Sequence, residues 1–275
     1  STFPSVKLPL PLEIDQLSSQ AQKEAYSNYQ VVDDLVLPDG FTYDLIAAWG
    51  DKVGDSRFGY NNDYVSFVET APNEGFLTVN FEYISGKAWL ENYPDVIGKS
   101  LPIAEVKAVA GQSDGEINAF ALPENSPLKK QIQEISKEGL IDQGIGIISL
   151  RRNPDGSWER TYSDADRRIT GISGLDDNHA LYATGPATAV FTKSNKIGYE
   201  DHQGNRIIGT FQNCAGGTTP WGTVLSAEEN FQDQVYEPVM ADGSAFDPGN
   251  TPFILTDDTV DGRAHVFGLP GNKYG

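Results

Sequence analysis

Cysteine is almost absent from this 275-residue chain, in which Cys214 stands alone. A single thiol cannot form an internal disulfide, so a disulfide-stapled fold is excluded. Cationic residues are also scarce, with 20 Lys and Arg against 39 Asp and Glu and a net charge of −19. Nucleic acids and anionic membranes bind through cationic side chains, so neither is expected as a partner. Apolar runs of about 18 residues are missing as well, which argues against membrane insertion.

Several catalytic motifs are missing too. The chain has no Walker loop, no complete dinucleotide-binding glycine pattern and no nucleophile elbow. Its three histidines, His179, His202 and His265, are scattered without the spacing of metal ligands, and each is expected to be an ordinary surface or core residue. The sequence therefore offers no support for nucleotide binding or for a histidine-based metal site.

What is present is typical of a globular β protein. Hydrophobic residues make up 39% and aromatic residues 11% of a chain long enough for a full core. Short apolar stretches between Pro, Gly, Asn and Asp turns favour an all-β sandwich, barrel or propeller. In the clearest strand, residues 76–83, alternation places Val79 and Phe81 on one face and Asn80 and Glu82 on the other. Further strands are predicted at 41–49, 146–151, 158–162, 180–184, 207–212 and 223–227.

Two regions depart from the strand pattern. Residues 1–30 combine a proline-punctuated arm with a short helical candidate. Residues 84–143 are irregular and are predicted to be an insertion into the β domain. Within it, a Ser-Pro pair followed by apolar residues at helical spacing predicts a helix near 127–138 that ends at Gly139.

The segment around Cys214 carries the strongest chemical signal. A free cysteine is often an inert buried residue, but here it precedes a strand that ends in Glu228 and Glu229, and soft sulfur with hard oxygen is typical of a metal site. Neighbouring strand residues face opposite ways, so only one of the two glutamates is expected to share a site with Cys214. The amides of Gly216 and Gly217 could form a nest for an anionic substrate.

Two other polar groups are candidate ligands. Asp63 ends an Asn-Asn-Asp run, which is either a turn with side-chain hydrogen bonds or a source of ligand oxygens. Asn80 and Glu82 share a strand face, where they are either solvated or directed at a site. A carboxylate surplus is compatible with calcium, whose ligands are mostly oxygen.

Together these segments resemble the PhoX-type alkaline phosphatases. The resemblance rests on blocks that occur in the family's order: FGYNND at 58–63, VNFEY at 79–83, RRITG at 167–171, GPA at 185–187, NCAGGTTPWGT at 213–223 and AEEN at 227–230. It implies a six-bladed β-propeller with added helices. It also implies an exported enzyme, periplasmic or extracellular in a bacterium, that hydrolyses phosphomonoesters with calcium and an oxo-bridged pair of ferric ions.

By this resemblance Cys214 is an iron ligand through its thiolate and Glu229 is a second ligand, preferred over Glu228. Asp63 and Glu82 are expected as ligands or as their immediate supports. One departure is Phe81, which stands where the family commonly has histidine. By alternation Phe81 points to the apolar face, so the change is expected to have little effect at Glu82.

By the same resemblance, a complete PhoX propeller needs substantially more residues than this chain contains. Further acidic ligands and a phosphate-binding arginine are expected beyond Gly275. Residues 1–275 are accordingly predicted to be the N-terminal portion of a monomeric propeller that needs its C-terminal part for full activity. Two alternatives stay open: a non-catalytic propeller that binds calcium or a partner, and a phytase-like or lactonase-like hydrolase on the same scaffold.

Overall fold

The computed structural model describes residues 17–28, 33–186, 188–191, 204–230, 234–235, 252–260 and 264–268. The chain divides into two compact units, Ser1–Leu45 and Ile46–Gly275. Helix α1 (Ser19–Ser27) belongs to the first unit, and the side chain of Ser18 caps its N-terminus. The rest of the predicted arm, residues 1–16 and 29–30, lies outside the described residues.

Short strands and helices alternate in the described part of the second unit. The strands are β1 (Lys52–Val53), β2 (Ser56–Arg57), β3 (Asn62–Ala71), β4 (Glu74–Phe81), β5 (Glu116–Ile117), β6 (Gly144–Arg152), β7 (Trp158–Arg160), β8 (Arg167–Ile169), β9 (Leu181–Tyr182), β10 (Arg206–Ile207), β11 (Asn213–Thr218), β12 (Val224–Glu228) and β13 (Phe253–Ile254). The helices are α2 (Gly86–Ile97), α3 (Ile103–Ala110), α4 (Pro127–Ile141) and α5 (Thr188–Phe191), with 3₁₀ turns at Gly111–Ser113 and Ala264–Phe267. Among the described helices, none has the length and apolar character needed to cross a bilayer.

A five-stranded antiparallel sheet forms the centre of this unit. Its order is β3-β4-β6-β7, and β8 pairs with the first half of β6 while β7 pairs with the second half. The predicted alternation in β4 holds on the apolar side, where Val79 and Phe81 pack with Phe58, Ile148 and Leu150. This side of the sheet is therefore part of the hydrophobic core.

The opposite face of β4, which carries Asn80, is covered rather than solvated. Strands β11 and β12 form a hairpin that packs on β3 and β4, with the Tyr64 and Ser66 hydroxyls hydrogen-bonded to Thr218 at 2.6 Å. As a result Asn80 is fully buried. The hairpin brings Cys214 onto the same face as Glu82, which creates the candidate site.

Residues 84–143 contain the three helices α2, α3 and α4. Ser126 and Pro127 begin α4 as predicted, and the Ser126 hydroxyl accepts a hydrogen bond from the Lys129 amide. The predicted end at Gly139 is wrong, because α4 continues to Ile141 with Gly139 buried inside it. Gly144, with φ +100°, instead supplies the positive φ that lets the chain turn into β6.

A buried polar cluster joins β2 to α4. Arg57 donates to Asp142 at 2.6 Å and to Glu138 at 2.9 Å, and the Tyr93 hydroxyl donates to Glu138 at 2.5 Å. The indole of Trp89 donates to the second oxygen of Asp142 at 2.7 Å. Burial alone would raise the pKa of Glu138, but the hydrogen bonds from Tyr93 and Arg57 and the charge of Arg57 outweigh it and lower that pKa.

This cluster predicts a pH-dependent stability. Glu138→Gln is expected to lower the free energy of unfolding by about 1–3 kcal/mol near neutral pH, because charge-assisted hydrogen bonds are lost. The pKa of Glu138 is lower in the folded protein than its ordinary value of 4.5, so the ionised carboxylate stabilises the fold above about pH 4.5. This stabilisation is lost as the pH falls through the folded-state pKa. Urea unfolding should therefore show the two proteins converging below about pH 4.5.

The matched control is Glu134→Gln on the same helix, where the carboxylate is 43% exposed. An exposed ion pair contributes little, so its effect should stay below about 1 kcal/mol at every pH. A difference between wild type and Glu138→Gln that stays constant with pH would contradict this role for the Glu138 carboxylate.

The described residues contain mostly strands with short helices, and no sheet among them closes on itself. The structure thus agrees with the all-β prediction in that strands predominate, but it does not confirm the six-bladed propeller. The predicted strand at 41–49 is wrong, since residues 41–48 have no regular structure. Its aromatic and β-branched composition favours a strand, but nothing pairs with it in a described ladder.

Candidate metal centre

Three predicted ligands meet at one point. Asp63, Glu82 and Cys214 each present a ligand atom, and these atoms all lie within 4.8 Å of one another. The Cys214 thiol donates a hydrogen bond to Asp63 Oδ2 at 3.2 Å. Glu229 completes the group, because its carboxylate interacts with both the Cys214 thiol and Glu82. One thiol and three carboxylates thus share a site on the hairpin side of the central sheet.

Two β-bulges aim Asp63 and Cys214 into this site. In the β3–β4 ladder the register shifts between Asn62 and Val65, so Asp63 lies in a bulge. In the β11–β12 ladder it shifts between Asn213 and Gly216, which places Cys214 in a second bulge. A bulge redirects a side chain away from strict alternation, and bulges are common beside functional sites.

The two glutamates are held where their strands end. Glu82 follows β4 and donates its amide to the Asn61 carbonyl at 3.1 Å, while the Asn61 side chain donates to the Tyr83 carbonyl at 2.9 Å. Glu229 follows β12 and donates its amide to the Gln212 carbonyl at 3.0 Å. Asn61 and Gln212 both have a left-handed φ, at 50° and 51°, and such backbone strain concentrates at functional sites.

Crowded negative charge dominates the electrostatics. Hydrogen bonding to Glu229 and then to Asp63, together with burial, raises the pKa of Cys214 to about 12. Burial, followed by the charge of Asp63, raises the pKa of Glu82. The negative charge of each group makes ionisation of its neighbours less favourable, and a bound cation would reverse this effect.

The structure does not bring Glu228 together with Asp63, Glu82 and Cys214. Its carboxylate points to the other face of β12, where it accepts hydrogen bonds from the Thr210 hydroxyl at 2.8 Å and the Phe211 amide at 3.2 Å. Burial raises the pKa of Glu228, and these two hydrogen bonds oppose that effect. The strand alternation separates the two glutamates in the way the sequence suggests.

Gly216 and Gly217, the predicted amide nest, have the conformation of a paired strand. Both glycines lie in β11, paired with Ser226 and Leu225, and neither has the positive φ that a nest requires. Gly216 has a different role, because a Cβ there would overlap the ring of Tyr64, whereas a Cβ at Gly217 would meet open space. The glycine at 216 lets the hairpin approach β3 closely.

This difference predicts opposite outcomes for two neighbouring substitutions. Gly216→Ala is expected to lower the free energy of unfolding by about 1–3 kcal/mol, because the methyl group forces Tyr64 away from the hairpin. Gly217→Ala should be neutral or stabilising by up to about 1 kcal/mol, since it restricts the unfolded chain without a clash. Thermal and urea unfolding of both variants provide the measurement, and equal losses would contradict the packing role of Gly216.

Phe81 lies on the apolar side, away from the four candidate ligands. Its ring packs edge-on against Phe58 at 4.8 Å and lies 4.5 Å from the guanidinium of Arg168. The side chain is completely buried. The orientation expected from alternation is confirmed, and Phe81 acts here as a core residue.

An open cavity of about 350 Å³ lies beside the site. Glu82 and Glu229 form part of its wall, together with Gln143, Gln212 and Gln234. Amide groups can both donate and accept hydrogen bonds, so this wall suits a polar ligand next to the carboxylates. No sequence pattern points to these three glutamines, which lie far apart along the chain.

Comparison with known proteins identifies the family of this chain. A family model described as Alkaline phosphatase PhoX matches residues 20–268. The chain belongs to this family. The solved structure "Pseudomonas fluorescens PhoX in complex with vanadate, a transition state analogue" is 24% identical, with a TM-score of 0.48, and the match covers 78% of this chain and 32% of that PhoX chain. The present chain thus spans about a third of the length of that PhoX chain. No curated protein matches the present chain.

The chemistry of the four side chains suits a bound metal ion. A thiolate is a ligand for soft or borderline transition metals and is foreign to calcium, which takes oxygen ligands. Cys214 with Glu229 therefore suits a transition metal, whereas Asp63 and Glu82 can also serve a harder cation. All four residues come from the family blocks that the sequence resemblance identified.

Proposed function

We propose that this chain carries part of the active site of a metal-dependent alkaline phosphatase that hydrolyses phosphomonoesters. The convergence of Asp63, Glu82, Cys214 and Glu229 on one face, in a member of the PhoX family, is the observation that supports it. In this proposal the remaining ligands come from a further segment of the same six-bladed propeller. Export to the periplasm or the exterior is part of the same proposal.

The proposed ligands divide by chemistry. Cys214 and Glu229 would hold iron, and Asp63 and Glu82, which offer only oxygen, could hold either iron or calcium. Bound ferric and calcium ions would supply positive charge to orient the phosphoryl group and to stabilise the transition state. Without that charge, a protein with a net charge of −19 would repel a phosphate dianion.

The chain's own residues have two tasks in this reaction. The bulges and strand ends fix the four ligand groups before substrate arrives, so no reorganisation is needed when charge develops. The polar cavity beside Glu82 and Glu229, which Gln143 and Gln234 also line, would give the ester group of the substrate a place to bind. These tasks are positioning and binding, and they require the hairpin to stay docked on β3 and β4.

Metal analysis combined with an activity assay tests the proposal. The intact protein is expected to contain iron and calcium by elemental analysis and to hydrolyse p-nitrophenyl phosphate. Prolonged chelation should remove both the metals and the turnover, and restoring both metals should recover it. Bound calcium without iron and without hydrolysis would instead indicate a non-catalytic calcium-binding protein. Hydrolysis of phytate or lactones in preference to simple phosphomonoesters would assign a different substrate.

A further inference from the structure

We propose that Asn80 is the positioning residue that sets the geometry of the Cys214 thiol, an inference that rests on the proposed metal centre. The Asn80 side chain is fully buried beneath the β11–β12 hairpin. Its amide nitrogen donates to the Cys214 carbonyl at 2.8 Å and to the Ala215 carbonyl at 3.3 Å. These are the two residues of the bulge that turns Cys214 toward the other ligands.

Asn80 also faces the second bulge. The β3–β4 register passes from Asn62 opposite Phe81 to Val65 opposite Val79, so the bulge that carries Asp63 lies across from Asn80. Asn80 therefore lies between the two bulges: its side chain holds the Cys214 bulge, and its backbone lies opposite the Asp63 bulge. Glu82, a third candidate ligand, follows two residues later on the same face of the chain.

The orientation of the Asn80 amide is fixed by its other end. Its oxygen accepts a hydrogen bond from the Ser226 hydroxyl at 2.9 Å, and that hydroxyl accepts one from the Asn213 amide at 2.9 Å. Asn213 is itself buried and also donates to Thr210 at 2.9 Å. Every polar atom of the Asn80 side chain thus has a partner, and a fully satisfied buried network of this kind specifies one geometry.

No other residue of similar size can replace Asn80. Aspartate would place a carboxylate oxygen against two carbonyl oxygens, and leucine would leave both carbonyls without a donor. In either case the bulge loses the group that holds it, and Cys214 moves relative to Asp63 and Glu229. Partners that orient metal ligands in this way typically change metal affinity by about 10–100-fold when they are replaced.

Two measurements on the intact protein test this role. Cobalt(II) serves as the probe, since a cobalt–thiolate bond gives a charge-transfer absorption that reports Cys214 directly. Asn80→Asp is expected to weaken cobalt binding by about 10–100-fold and to reduce that absorption at saturation. In metal-free protein, the rate of Cys214 alkylation, followed by mass spectrometry of its peptide, is expected to change several-fold.

Ile148→Val is the matched control, because it weakens the core of the same sheet without touching the hairpin. It should keep the wild-type cobalt affinity, absorption and alkylation rate. Ser226→Ala is the second variant, for use if Asn80→Asp does not fold. This variant keeps both hydrogen bonds that the Asn80 amide nitrogen donates, but it leaves the Asn80 side-chain oxygen without its donor. A several-fold loss of cobalt affinity is therefore expected.

Different results would overturn the positioning role of Asn80 and the proposed metal centre. Wild-type cobalt affinity and alkylation rate in Asn80→Asp, or in Ser226→Ala if only that variant folds, would overturn the positioning role. If wild-type protein showed no cobalt–thiolate absorption, the metal centre would be refuted. The alkylation rates alone would then decide whether Asn80 positions Cys214.

Discussion

Glu229→Gln is expected to reduce phosphatase turnover and metal affinity by at least about 100-fold, while Glu228→Gln leaves both nearly unchanged. Replacement of a residue that only supports a metal ligand already costs about 10–100-fold, so loss of a direct carboxylate ligand should cost more. The two residues are adjacent in the chain, and their substitutions are chemically identical. Their contrast therefore tests the assignment of faces on β12 directly.

The reason for the contrast lies in the surroundings of each carboxylate. Glu229 interacts with the Cys214 thiol and with Glu82, and in the proposed centre its negative charge contributes to metal binding. Within the described residues, Glu228 accepts hydrogen bonds from Thr210 and Phe211, and both donors reach the same oxygen. Glutamine can present an oxygen to the same two donors, so Glu228→Gln should change the free energy of unfolding by no more than about 1 kcal/mol.

Iron and calcium content and the kinetics of p-nitrophenyl phosphate hydrolysis, measured on both purified variants, provide the test. Circular dichroism confirms that each variant is folded. If Glu228→Gln lost the metals and Glu229→Gln retained them, the structural assignment of the two faces would be wrong. If both variants retained metals and turnover, Glu229 would be excluded as a ligand.

Strand alternation predicted a substantial part of the candidate site. It placed Asn80 and Glu82 on one face with Phe81 opposite, and it separated Glu228 from Glu229, because these relations depend only on neighbouring residues. Local capping chemistry likewise predicted the start of α4. Such features follow from backbone geometry within one element, and the structure shows each of them.

The two bulges could not be predicted in the same way. A bulge depends on the register between two paired strands, and register is set by the whole ladder rather than by one segment. Asp63 and Cys214 are 151 residues apart, so their contact also depends on where the β11–β12 hairpin docks. For the same reason the burial of Asn80 and the strand packing role of Gly216 were not visible in the sequence.

The RRITG block that helped to identify the family contains a residue with a large structural role. Arg168 is buried and donates five hydrogen bonds to backbone carbonyls at distances from 2.5 to 3.3 Å. The acceptors belong to Arg57, Ile141, Gln143, Ile145 and Ile169. These carbonyls lie in β2, at the end of α4, in the turn after it, and in β6 and β8. Arg168 therefore joins four elements through one side chain.

Arg168→Met is accordingly expected to lower the free energy of unfolding by about 3–5 kcal/mol. The variant leaves several buried carbonyls without a donor and removes the cation that lies over the ring of Phe81. Burial lowers the pKa of Arg168, but carbonyl oxygens at five positions stabilise its charged form. A loss of this size is a large fraction of the total stability of a typical domain.

The adjacent Arg167 is exposed and provides the matched control. Arg167→Met should change the free energy of unfolding by less than about 0.5 kcal/mol, as is usual for surface substitutions. Arg168→Lys keeps the charge but has only three donors, so it should fall between wild type and Arg168→Met. Urea unfolding of the three variants measures these differences. Equal stability of Arg168→Met and Arg167→Met would mean that water replaces the guanidinium, and the joining role of Arg168 would be disproved.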